Sequence, residues 1–172
     1  MNFWIVQAIG FVAVAFSILT YQLNRRDWML LSETTAAFLY ALHFFLLGAP
    51  TGGVMNLLGG IRAITFYKFP PTRQHRWLII AFILLAVVTT VIFWEGPISL
   101  LALAGTTSYA VAFWQSEPRY IRRCLLVSFP MWFLYNLVAG SYPGMFIEIL
   151  LLFANVIGQY RFDFRRATSH KI

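Results

Sequence analysis

The stretch WLIIAFILLAVVTTVIFW, residues 77–94, carries no charged side chain. Apart from the terminal indoles, its only polar groups are the hydroxyls of Thr89 and Thr90. A hydrocarbon crossing needs about 20 apolar residues at 1.5 Å each, and a shorter run is met by local thinning of the bilayer. In lipid only a helix or a closed barrel satisfies its own backbone, and this stretch lacks the two-residue alternation of a barrel strand. It reads as a transmembrane helix.

The same reading extends in both directions. Charged or Pro/Gly-containing breaks divide the rest of the chain into apolar runs at 3–22, 28–47, 52–68, 98–115, 121–139 and 144–160, which makes seven spans. Of 172 residues, 60% are hydrophobic and only 11% charged, whereas a water-facing domain needs about a quarter charged. The expected fold class is therefore an all-α integral membrane protein, one transmembrane domain over residues 1–172. Residues 1–23 resemble a signal peptide, but no Lys or Arg precedes the apolar run, so it reads as a retained first helix.

The breaks alternate in charge. Arg25 and Arg26 follow span 1, Lys68, Arg73 and Arg76 follow span 3, Arg119, Arg122 and Arg123 follow span 5, and Arg161, Arg165, Arg166 and Lys171 follow span 7. The intervening breaks, Ala49-Pro50-Thr51, Glu95-Gly96 and Ser141-Tyr142-Pro143, hold no Lys or Arg. Basic loops stay in the cytoplasm, so the N-terminus is expected outside and the C-terminus inside. This topology accounts for the net charge of +7 without a nucleic-acid partner. The lone Cys124 excludes an intrachain disulfide, and His43, His75 and His170 are not spaced as metal ligands. No cofactor motif is visible.

An internal repeat is legible. Gly48-Ala49-Pro50-Thr51-Gly52 aligns with Gly140-Ser141-Tyr142-Pro143-Gly144 at an offset of 92, pairing Tyr40 with Trp132 and His43 with Tyr135. A second match, Asn56…Gly59…Arg62 with Asn155…Gly158…Arg161, has an offset of 99. The difference is nearly two helical turns, so both registers keep one face inward. Asn56 pairs with Glu148 in one and with Asn155 in the other. Residues 1–70 and 97–162 thus read as two three-helix units in parallel orientation, joined by a linker helix in 71–96 and followed by a cytoplasmic tail, 163–172.

His43-Phe44-Phe45-Leu46-Leu47-Gly48, Ile61-Arg62, Ala139-Gly140-Ser141, Ile147-Glu148 and Asn155 resemble the YgjV-type bacterial inner-membrane protein family, over nearly the whole chain. The resemblance implies a bacterial inner-membrane location and brings no established activity. More distantly, the three-one-three pattern is similar to the SWEET and PQ-loop membrane proteins, which implies transport of a small solute. Those proteins carry a proline-glutamine pair in the first helix of each unit; here Gln7 stands in span 1 without a proline.

An ionisable group inside a span costs about 2.5–3.5 kcal/mol on insertion scales, so each one needs a reason. Glu148 reads either as a proton or cation site on a central cavity or as an interfacial carboxylate at a helix start. His43, at similar depth, reads as its partner or as an interfacial histidine packed among Phe44 and Phe45. Arg62 is expected to snorkel to the inner interface, and Glu33 to pair there with Arg25 or Arg26. Asn56, Asn136 and Asn155 read as solute ligands or as interhelical hydrogen bonds. Trp4, Trp28, Trp77, Trp94 and Trp114 fall at span ends as an aromatic belt, leaving Trp132 for stacking on a solute.

These residues point to a small-solute permease, with alternating access and a proton link, whose pathway contains His43, Asn56, Arg62, Trp132, Asn136, Glu148 and Asn155. Its partners are membrane lipids and a small neutral solute, with homo-oligomerisation left open. The alternative is a non-transporting receptor or assembly partner built on the same bundle. An enzyme is not expected, for want of a nucleophile–base pair, metal cluster or phosphate loop.

Overall fold

The structure, a computed structural model, describes residues 2–22, 26–69, 72–115 and 118–160. Among these residues it is helical, with no strand. The α-helices are α1 (Phe3–Gln22), α2 (Arg26–Leu47), α3 (Pro50–Lys68), α4 (Arg76–Ile92), α5 (Ile98–Phe113), α6 (Pro118–Ala139) and α7 (Tyr142–Gln159), and a 3-10 turn, Arg73–His75, leads into α4. The ends agree with the apolar runs to within three residues. Arg25, Arg161, Arg165, Arg166, His170 and Lys171, and with them part of the charge alternation, lie outside the described residues.

α3 and α7 start earlier than expected because proline stands in their first turn. Pro50 is the first residue of α3 and Pro143 the second of α7, where a missing N–H goes unnoticed. The α2–α3 and α6–α7 turns are built alike. Gly48 (φ +76°) and Gly140 (φ +70°) take the left-handed conformation that ends a helix. Ala49 N then donates to Phe44 O and Ser141 N to Asn136 O, both at 2.9 Å.

Consecutive helices pack in two triplets, α1–α2–α3 and α5–α6–α7. The triplets meet where α1 touches α7 and α3 touches α5, so six helices close a ring. α4 packs against α3 and α5 on the outside of that ring. By length and hydropathy alone, Arg73–Ile92 is long and apolar enough for a full crossing, and Phe3–Leu19, Leu31–Leu47, Ile98–Phe113 and Tyr142–Ile157 are shorter apolar helices.

Polarity is distributed inside out. Ile80, Leu84, Val88 and Val91 of α4 point outward, as do Phe11, Leu137 and Phe153, while Gln7, His43, Ser128, Asn136 and Glu148 are buried. Water would reverse that arrangement; a hydrocarbon surround favours it. Trp4, Trp77 and Trp94 are exposed at helix ends as a belt requires. Trp114 is not: it turns in against Phe66, ring centroids 5.2 Å apart, because the end of α5 packs beside α3. The side chain of Trp28 is outside the description.

Candidate functional site

Within the ring lies a cavity of about 100 Å³, room for several waters or a solute of a few heavy atoms. Its wall is assembled from helical stripes with residues at spacings of three and four. α2 contributes Glu33, Tyr40 and Phe44; α3 Asn56, Gly59 and Arg62; α7 Gly144, Glu148 and Leu151. Trp132 and Asn136 come from α6, Thr106 and Tyr109 from α5, and Ser17 from α1. Glu148 is 8% exposed and Asn136 2%. Glu148 Oε2, Asn136 Oδ1 and Thr106 Oγ1 are buried without a hydrogen-bond partner among the described residues. A buried polar atom without a partner costs about 1–3 kcal/mol, so three on one wall mark a surface shaped for something polar.

Two glycines make this wall. A Cβ on Gly144 would stand 2.2 Å from Asn136 Oδ1, and one on Gly105 would stand 2.5 Å from Trp132 Cδ1. Any side chain at either position would push a cavity residue from its place. Trp132 is also edge-on to Tyr135, at 5.5 Å between centroids.

Five of the seven expected residues, Asn56, Arg62, Trp132, Asn136 and Glu148, thus share one cavity. Asn56 Nδ2 donates to Gly52 O at 2.9 Å, within its own helix. Arg62 does not snorkel: it is 6% exposed, with its Cζ 5.8 Å from the Tyr109 ring centre and 5.4 Å from that of Phe113. Those rings and Glu33, which lines the same cavity, offset its charge where it is buried. Glu33 is therefore a wall residue, and Arg25, one of its expected partners, is outside the described residues. Its face was readable: 33, 37, 40 and 44 recur at helical spacing.

His43 and Asn155 lie elsewhere. His43 does not meet Glu148; its Nδ1 is 2.8 Å from Val6 O and its Nε2 2.9 Å from Ser141 Oγ. A carbonyl only accepts, so Nδ1 carries the proton and Nε2 accepts from Ser141. Asn155 Nδ2 donates to Arg122 O at 2.9 Å, tying α7 to α6. That bond makes Asn155 interhelical glue, and the cavity ends one turn earlier, at Leu151.

Above the cavity, each tight turn is clasped from outside its own triplet, the α6–α7 turn by α1 and the α2–α3 turn by the α4–α5 connection, α5 and α6. Gln7 Nε2 donates to Gly140 O at 2.9 Å and its Oε1 accepts from Tyr142 N at 3.2 Å. Reciprocally, Thr51 N donates to Glu95 Oε2 at 3.0 Å, and Thr51 Oγ1 bonds Phe93 O and Ser99 Oγ. Tyr135 OH accepts from Gly52 N at 2.7 Å and donates to Glu95 Oε2 at 3.2 Å. Tyr135→Phe leaves Gly52 N buried and unpaired. A loss of about 1–3 kcal/mol is expected, read as a lower unfolding midpoint in micelles; an unchanged midpoint would mean that packing alone holds the turn.

No solved structure matches this chain. Inner membrane protein YgjV of Escherichia coli (strain K12) is 28% identical over 162 residues, covering 93% of this chain and 85% of that protein. The Imp-YgjV family, described as bacterial inner membrane protein, matches residues 4–166. The chain belongs to this family, and its place is the bacterial inner membrane.

Proposed function

We propose that this protein is a small-solute permease that crosses the inner membrane seven times and moves its cargo through the cavity between two parallel three-helix units. The observation that carries the reading is the convergence of Glu148 Oε2, Asn136 Oδ1 and Thr106 Oγ1, all unpaired, on one cavity. A bundle serving only as an assembly partner gains nothing from such a cavity and is more stable with it filled by apolar side chains, while a receptor would bind there without uptake.

The cavity also supports the repeat. Ser17 and Tyr109, Tyr40 and Trp132, Phe44 and Asn136, Met55 and Ile147, Asn56 and Glu148, and Gly59 and Leu151 are all wall pairs separated by 92 positions. The matched turns and the reciprocal contacts α1–α7 and α3–α5 have the same offset and the same exchange. Such a wall fits an axis along the membrane normal, with the solute between the units. The reciprocal clasps bridge the turn end, which supports an outer side closed in this conformation. Pro130, inside α6, frees a carbonyl one turn back and supplies a place for that helix to bend.

In liposomes, the purified protein is expected to take up at least one member of a panel of sugars, polyols and small amines above the level of protein-free vesicles, with a rate that responds to a pH gradient. No uptake of any member would favour the receptor or assembly reading. For topology, a reporter after Ile172 is expected in the cytoplasm and a tag before Asn2 is expected to be reached from outside. Both ends on one side would remove the seven-span arrangement and with it the parallel repeat.

A further inference from the structure

Three ionisable side chains face the cavity with opposed charges: Glu33 on α2, Arg62 on α3 and Glu148 on α7. Glu33 is within electrostatic reach of both others. Arg62 is matched by Glu33, and the rings of Tyr109 and Phe113 take the rest of its field. One carboxylate is then left over. Glu148 has no cationic partner among the described residues, its Oε2 is unpaired, and it is more than nine-tenths buried. Tyr40, Phe44 and Trp132 stand on the same wall. Other titratable groups facing the site are few. The described side chains of α1 include none, the phenol of Tyr40 on α2 is within electrostatic reach of Glu148, that of Tyr109 comes from α5, and α6 presents Trp132 and Asn136. His43 is turned away, bonded to Val6 and Ser141.

A buried carboxylate without a counter-ion takes up either a proton or a cation. An aromatic surround favours a cation with an apolar shell, which gains from ring faces what it loses in hydration; a bare metal ion would need a cage of oxygens. The small volume restricts it to a few heavy atoms.

We propose that the cavity binds a small organic ammonium ion at Glu148, and that the ammonium and a proton occupy this carboxylate in mutual exclusion. This rests on the permease reading and narrows its cargo from a neutral solute to a protonated amine. The exchange balances. When the ammonium pairs with Glu148, the carboxyl proton leaves to water on the open side; when the ammonium departs on the other side, a proton from that side replaces it. One positive charge moves each way, so the cycle is an electroneutral exchange of amine for proton.

The test uses the full-length protein in micelles and in liposomes. Binding of tetramethylammonium, which cannot lose a proton, is read by quenching of tryptophan fluorescence between pH 5.5 and 8.5, with ethylammonium, sodium, potassium and glycerol as further probes. Apparent affinity for tetramethylammonium is expected to rise with pH, by up to about tenfold per unit, the limit for one competing proton. Glu148→Gln should abolish this binding, and Glu148→Asp should retain it with its pH dependence; both are first checked for a single folded species by size-exclusion chromatography. Affinity independent of pH, equal binding by the folded Glu148→Gln protein, or preference for sodium, potassium or glycerol would each overturn the proposal. The permease reading is scored separately. Proton-competed binding without uptake keeps the ammonium site and removes transport, whereas glycerol or sugar uptake without ammonium binding keeps transport and removes the ammonium site.

Discussion

Glu148→Gln should reduce solute uptake to the level of empty liposomes and erase its response to a pH gradient, while the protein still inserts and folds. Glutamine keeps the length and shape of the side chain and one oxygen acceptor. It removes the single group in the cavity that has no countercharge among the described residues. Folding should tolerate the change, because an uncompensated carboxylate is the most expensive occupant of a buried wall and a neutral amide is cheaper. The unfolding midpoint is therefore expected to stay or to rise. If Glu148 only anchored the start of α7, the same substitution would leave uptake and its pH response unchanged, and the stability would fall with the lost interaction at the helix N-terminus. The two accounts thus predict opposite pairs of results from one variant.

The helices were legible because their signal is long and summed over many residues. Each run from 3–22 to 144–160 became one helix; starts differ by two residues where Pro50 and Pro143 open helices that hydropathy alone starts later, and by three where α6 opens at Pro118. The outer position of α4, against α3 and α5, accords with its composition, since a helix apolar on every side can lie outside the ring. The site was less legible. Asn56, Trp132, Asn136 and Glu148 were found because a polar or aromatic residue in an apolar run stands out. Arg62 was found too, though expected to snorkel, and Glu33 was expected at the inner surface beside Arg25 or Arg26, whose side chains lie outside the described residues, because a sequence gives the depth of a charge along a helix but not the direction of its face. Glu33 sits one turn from the end of its run, where a surface partner is the usual answer; only the packing of α2 against α1 and α3 shows it facing inward with Tyr40. His43, read either as a partner of Glu148 or as packed among Phe44 and Phe45, stands edge-on to Phe44 and away from the cavity. It is three residues beyond Tyr40, at the edge of the cavity stripe, and a hydrogen bond to Val6 O on the neighbouring helix draws it out of the cavity. Of the two sequence matches of Asn56, at offsets of 92 and 99, Glu148 shares the cavity with it and Asn155 instead bonds Arg122 O.

Arg62→Met should be among the most destabilising single substitutions in the chain, and Glu33→Gln should restore much of the loss. Arg62 is buried, its guanidinium lies against Tyr109 and Phe113, and its nearest opposite charge on the wall is Glu33. Methionine fills a similar volume but leaves Glu33 facing Glu148, two carboxylates with no cation between them among the described wall residues. Glu33 then keeps its charge on the cavity wall with no cation to offset it, and about 3–5 kcal/mol, the cost of breaking a fully buried pair from one side, is the upper bound on the loss. Glu33→Gln alone leaves the guanidinium without its partner, but the two rings hold part of its charge, about 0.5–2 kcal/mol for such contacts, so the smaller loss is expected here. In the double variant both charges are gone, and the wall carries only Glu148. Thermal unfolding of the four proteins in micelles gives the coupling directly, expected at about 1–3 kcal/mol in favour of the pair. Strict additivity would show that Glu33 and Arg62 are independent. It would also remove the charge count that leaves Glu148 as the unmatched group, so this cycle tests the electrostatic basis of the site without any solute.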